Sequence, residues 1–90
     1  MSLLPESEVD RRLGDVPGWL RQGNAILKTF SFDSFAAAIA FVNRVAAVAE
    51  AQDHHPDILV QYRKVTLTLS SHDAGGLTER DFRLAREIPG

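Results

Sequence analysis

All three histidines of this 90-residue chain fall between residues 50 and 81, and they are the side chains best suited to chemistry. His54 and His55 are adjacent within Glu50-Ala51-Gln52-Asp53-His54-His55-Pro56, and His72 lies in Ser71-His72-Asp73-Ala74-Gly75-Gly76. The stretch closes on Thr78-Glu79-Arg80-Asp81. An imidazole with an unperturbed pKa of ~6.5 both takes and gives protons near neutral pH. Imidazoles beside carboxylates therefore point to proton-transfer catalysis or to a metal, and the plainer reading is a polar turn region that happens to be rich in histidine. Metal binding ranks third, because His54-His55 is not an i, i+4 ligand pair and adjacent residues seldom both reach one ion.

These residues also have structural readings. Asp81 stands three after Thr78, the spacing of a capping box, and this role can coexist with a chemical one. Tyr62 can be a cross-strand packing residue, Glu50 a solvated charge and Trp19 a core aromatic.

The elements that must position the histidines follow from periodicity. Residues 5–13, with Pro5 at the start and Gly14 after the end, read as a short helix. Residues 19–21 and 25–32 flank Gln22-Gly23-Asn24 as a hairpin, with Ile26, Phe30 and Phe32 on one face and Lys28 a misfit placed near an edge. Asp33 or Ser34 caps a long helix reaching about Gln52. Its apolar residues form two stripes, Phe35/Ile39/Val42/Ala46/Ala49 and Ala38/Phe41/Val45/Val48, wider than one sheet should need. Either a second subunit or the N-terminal helix covers the excess.

Strands over 57–62 and 65–71 follow, joined at Arg63-Lys64, and Val65, Leu67 and Leu69 alternate with Thr66, Thr68 and Ser70. That hairpin sets His72 opposite roughly residue 55. A last helix spans about 79–88 from a Thr78 cap, with Leu84, Ala85 and Ile88 facing the core and Pro89-Gly90 ending it. The expected fold is α+β in the order α-β-β-α-β-β-α, a four-stranded antiparallel sheet with helices packed on one face, in a single domain over residues 1–90.

The chain has no cysteine, which excludes disulfides, thiolate metal sites and cysteine nucleophiles. A net charge of −2 with no Lys/Arg cluster argues against direct nucleic-acid binding. The longest apolar run, Phe35 to Val42, is far short of the ~20 residues a bilayer requires, and no charged-then-apolar leader opens the chain. A cytoplasmic protein without a membrane partner is expected.

The string Glu50-x3-His54-His55-Pro56-x5-Tyr62-x9-His72-x8-Asp81 resembles the pterin-4a-carbinolamine dehydratase family. So do Thr68 to Thr78 and, upstream, Phe30-x-Phe32-x2-Phe35. The resemblance covers about residues 5–88. It implies dehydration of a 4a-hydroxytetrahydropterin to the quinonoid dihydropterin, in the recycling of the pterin used by aromatic amino acid hydroxylases. No metal or other cofactor is implied. His54 and His72 would be the acid/base pair, His55 would bind the pterin, Glu50 and Asp81 would orient these groups, and Trp19 would line the pocket. The resemblance further implies a homodimer or homotetramer, and in some animal members a second role as a protein-interaction module. Ile58 departs from the pattern, since animal members usually carry a tryptophan there.

Overall fold

The computed structural model describes residues 2–88. Its elements are α1 (Glu6–Leu13), β1 (Leu20–Gln22), β2 (Ala25–Ser31), α2 (Phe35–Gln52), β3 (Asp57–Gln61), β4 (Lys64–Leu69) and α3 (Glu79–Glu87). The strands form one antiparallel sheet in the order β1-β2-β4-β3. This is the expected α+β arrangement. The expected helix end at Pro89-Gly90 lies outside the described residues.

Alternation in β4 decides which way the sheet faces. Val65, Leu67 and Leu69 are fully buried, together with Ile26 of β2, and Phe30 of β2 is nearly so. The three helices close over that face with Val9, Phe41, Val45, Phe82 and Leu84 in the same cluster. Replacing Leu67 by alanine would cost about 2–5 kcal/mol. Among the described residues no helix covers the opposite face; there the hydroxyls of Thr29 and Thr66 bond at 2.8 Å, and Leu20 and Leu59 are exposed.

The first hairpin is tighter than its sequence suggests, and the second turns one residue earlier. Gln22 pairs with Ala25 and leaves Gly23-Asn24 as the turn, with Gly23 at φ 59°. Gln61 pairs with Lys64, so the second turn is Tyr62-Arg63 and not Arg63-Lys64. Tyr62, at φ 55°, is a turn residue, 69% exposed, and not a packing partner in the ladder. The register is thereby two residues off the expected one, with Asp57 opposite Thr68. A slip of two preserves which side chains face inward. β4 stops at Leu69, and a tight turn from Ser71 to Gly76 replaces the expected extension of the strand.

Lys28 lies on the inward-facing side of β2. β1 pairs only with Ala25–Leu27, so the β2 flank opens at Lys28, whose ammonium reaches out over the Phe30 ring at 4.9 Å. This is the local edge that the misfit implied.

Ser34 caps α2, its hydroxyl accepting from Ala37 N–H at 3.0 Å. Ala38, Phe41, Val45 and Ala49 are buried against the sheet and α3, whereas Phe35 is 52% exposed and Ala46 is open. The first apolar stripe is thus open at Phe35 and Ala46, half-buried at Ile39 and Val42, and closed at Ala49. With 18 residues and a mean hydropathy of 1.2, α2 has the composition of a short membrane span. Its length of about 27 Å falls below the ~30 Å of a hydrocarbon core, and its buried stripe is packed on the sheet, which makes it the core helix of the domain.

Candidate active site

The end of α2 sets the direction of each of the paired imidazoles. Asp53 takes a left-handed conformation at φ 50°, and the N–H of His54 bonds back to Ala49 O at 3.1 Å. The helix stops there, Pro56 keeps the following backbone extended, and the two rings diverge. His54 turns inward and is 8% exposed, while the His55 side chain stays 56% exposed.

Glu50 meets His55, with Oε2 and Nε2 2.8 Å apart, and not His54 four residues on. The left-handed residue removes His54 from the helical face on which an i, i+4 contact would form. Both members of the Glu50–His55 pair are largely exposed, so it is weakly held, worth at most about 1 kcal/mol.

His54 finds its partner on α3. Its Nε2 lies 2.6 Å from Asp81 Oδ1, and Asp81 is fully buried. The other carboxylate oxygen, Oδ2, accepts from Ser71 Oγ and from Thr78 N, each at 2.9 Å. Thr78 Oγ1 lies 2.8 Å from Ser71 Oγ and accepts from Arg80 N at 3.2 Å, which completes the capping box of α3. Asp81 therefore holds both roles allowed for it, helix cap and partner of an imidazole.

The hydrogen-bond pattern sets the proton positions. Ser71 O–H and Thr78 N–H already donate to Asp81 Oδ2, as they would to a carboxylate, which can only accept. The hydrogen in the His54–Asp81 contact then belongs to Nε2. In the neutral ring this leaves the Nδ1 lone pair unpaired with any described residue, free to take a proton.

His72 follows Ser71 and, by the alternation of β4, points the other way. Ser71 is buried beside Asp81, whereas His72 is exposed in a hollow of ≈ 300 Å³ lined also by Asn24, Asp57, Thr68, Ser70 and Gly75. That volume is at the lower end of small-molecule sites, about 300–1,000 Å³. Asp57, which lines this hollow, stands two residues after His55 in the chain. The Ser71–Gly76 turn is tied to α3 by Arg80, which bonds Asp73 Oδ1 at 2.5 Å and holds that carboxyl below its ordinary pKa.

Not every expected residue gathers here. Neither His54 nor His55 lines the hollow of His72 directly; chain adjacency and the Asp81–Ser71 bonds make the connection. Trp19 is buried elsewhere, edge-on to Phe30, and lines a separate hollow of ≈ 180 Å³ with Val16, Lys28 and Ala85. A larger hollow, ≈ 410 Å³, runs along α2 and α3 past Ala47, Val48 and Arg83 and is lined by no imidazole. Its size does not outweigh the chemistry of the His72 hollow. Among the described residues no three His, Asp or Glu side chains gather as ligands of one metal ion.

Ser71 and Asp57 were not among the expected site residues. Parity carried the signal for Ser71: it falls on the inward series of Val65, Leu67 and Leu69, where a hydroxyl needs a buried partner.

The family profile described as pterin 4 alpha carbinolamine dehydratase matches residues 2–89. A protein of Roseiflexus castenholzii, provisionally named pterin-4-alpha-carbinolamine dehydratase, is 61% identical over 87 residues, covering 97% of this chain and 94% of its own. A similarly named protein of Sulfolobus acidocaldarius is 46% identical over 85 residues, covering 94% and 93%. The crystal structure of a transcriptional coactivator/pterin dehydratase from Brucella melitensis superposes with a TM-score of 0.91 at 36% identity, covering 97% and 95%. A pterin dehydratase-like protein described as a RuBisCO assembly factor in the alpha-carboxysome superposes with a TM-score of 0.66 at 30% identity, covering 79% and 84%. Since the family profile runs through all seven elements and through the histidine segments they position, the chain belongs to the pterin 4 alpha carbinolamine dehydratase family.

Proposed function

We propose that this protein dehydrates a 4a-hydroxytetrahydropterin to the quinonoid dihydropterin by histidine acid/base catalysis. The reaction breaks the C4a–O bond, removes the proton from the adjoining ring nitrogen and forms a C=N bond. The departing hydroxyl takes up a proton and leaves as water. Protons balance, so one group must accept while another donates.

The observation that carries this reading is the His54–Asp81 contact at 2.6 Å. A buried carboxylate behind an imidazole fixes the ring and stabilises its cationic form, while the far nitrogen remains available to substrate. His72, exposed in a hollow that His54 does not itself line, supplies the second proton-transfer group. His55 and Glu50 form an exposed rim that contacts the pterin. Trp19 acts from the core by supporting β2.

The test is the decay of an enzymatically generated carbinolamine, followed by absorbance, with chelator-treated protein. Acceleration without added metal supports the reading, and a decay rate equal to that of buffer alone overturns it.

A second reading rests on the open stripe of α2. Phe35 is 52% exposed beside half-buried Ile39 and Val42, a surface suited to a second copy in a homodimer or homotetramer, or to another protein. The neighbours described as a coactivator and as an assembly factor make an interaction role worth testing. Phe41 and Val45 are buried and would unfold the domain if charged, so Phe35→Glu is the informative change. If it abolishes self-association or partner capture while His72→Ala does not, the surface acts independently of the chemistry.

A further inference from the structure

Ser71 lies outside the acid/base set, yet its hydroxyl occupies the centre of the buried network behind His54. It is 1% exposed. Its Oγ donates to Asp81 Oδ2 at 2.9 Å and lies 2.8 Å from Thr78 Oγ1. The Ser71 proton is committed to the carboxylate, so Thr78 must donate to Ser71. Thr78 Oγ1 in turn accepts from Arg80 N at 3.2 Å. The result is a one-way chain, Arg80 N–H to Thr78 O–H to Ser71 O–H to Asp81.

The backbone of Ser71 is held as firmly. Its N–H bonds to Gly76 O at 2.9 Å, and its carbonyl accepts from the N–H groups of Ala74 and Gly75, each at 3.0 Å, and of Gly76 at 3.2 Å. The hydroxyl is therefore delivered from a fixed turn and not from a mobile loop.

From this arrangement we infer that Ser71 is a positioning residue for His54: it occupies Asp81 Oδ2, leaves Oδ1 to Nε2–H alone, and so makes Nδ1 the proton-transfer atom. Two donors on Oδ2, from Ser71 and from Thr78 N, fix the rotation of the carboxylate. Without the hydroxyl, only Thr78 N–H holds Oδ2, the carboxylate is less firmly oriented, and the imidazole can bind it through either nitrogen. The ring then presents the wrong atom for part of the time. Outer partners that orient metal-bound imidazoles typically change activity by 10–100-fold, and an effect on the order of ten-fold is expected for this imidazole–carboxylate pair.

This inference rests on the dehydratase reading for its kinetic arm but not for its spectroscopic one. Nitrogen NMR of the ¹⁵N-labelled imidazoles reads the His54 tautomer directly. In the neutral wild-type ring Nε2 is expected to carry the hydrogen and Nδ1 to be bare. Ser71→Ala should mix the tautomers, lower kcat about ten-fold with KM nearly unchanged, and displace the pH profile of kcat. Ser71→Thr, which keeps the hydroxyl, should restore both signatures. If alanine does not fold, Ser71→Cys makes the same comparison with a weak donor. A Ser71→Ala protein with a single Nε2–H tautomer and the wild-type kcat profile overturns the inference, as does a wild-type ring protonated at Nδ1. Absence of dehydration by wild type defeats only the function reading, and the ring spectrum still decides the role of Ser71.

Discussion

His54 and Asp81 are separated by 27 residues in sequence and by 2.6 Å in space. One follows the left-handed residue that ends α2, and the other is the third residue of α3. Docking of the two helix ends on the same edge of the core builds the pair, so folding and site assembly are one event.

Asp81→Asn tests that coupling. An amide offers at most one acceptor oxygen and puts N–H groups where Ser71, Thr78 or His54 now donate. We expect a loss of about 1–3 kcal/mol in denaturant unfolding, and a fall in kcat on the order of 10² or more as the imidazole tautomer is lost. Wild-type kcat in a folded Asp81→Asn protein would remove Asp81 from the catalytic account.

The exposed rim should behave differently. His55→Ala and Glu50→Ala break a solvated pair, so unfolding free energy should change by less than about 1 kcal/mol. If this rim holds the pterin, KM rises with kcat little altered. A kcat loss equal to that of the buried pair would place His55 among the proton-transfer groups.

The left-handed Asp53 is a backbone hinge on which the direction of His54 depends. Asp53→Gly should be stable to within about 0.5 kcal/mol, because glycine adopts φ > 0 freely. Asp53→Val should cost about 1–2 kcal/mol and lower kcat as His54 loses its seat. Equal melting temperatures for the two variants would refute the hinge.

Acid stability should report on α1. Hydrogen bonds from Arg11 and then Arg12 hold the Glu8 carboxyl down from 4.5 to about 2. A depressed carboxyl stabilises the fold fully above its unfolded pKa, and that contribution is lost as pH falls through the folded value. The stability gap between wild type and Glu8→Gln should therefore be full above pH 4.5 and close by about pH 2. Urea midpoints across that range measure it, and a gap independent of pH would contradict the assignment.

Much of this architecture is legible in the letters because burial enforces it. The Val65/Leu67/Leu69 alternation fixes the orientation of β4, Ser34 and Thr78 announce their helices, and the order of elements follows. What escapes the sequence is backbone at positive φ in residues other than glycine. Nothing in Tyr62 or Asp53 advertises a left-handed conformation, yet Tyr62 shifts the hairpin register by two and Asp53 hands Glu50 to His55. The histidines and Asp81 could be named from their types and spacing. Which of them meet could not, because those contacts depend on two turns whose geometry the side chains do not encode.

The most direct test of the account is kcat for carbinolamine dehydration by His54→Ala and His72→Ala, each shown by circular dichroism to be folded. Both are expected to fall by a factor of about 10² or more, as for the loss of a proton-transfer group. A wild-type kcat in either variant would contradict the claim that these two imidazoles share the reaction.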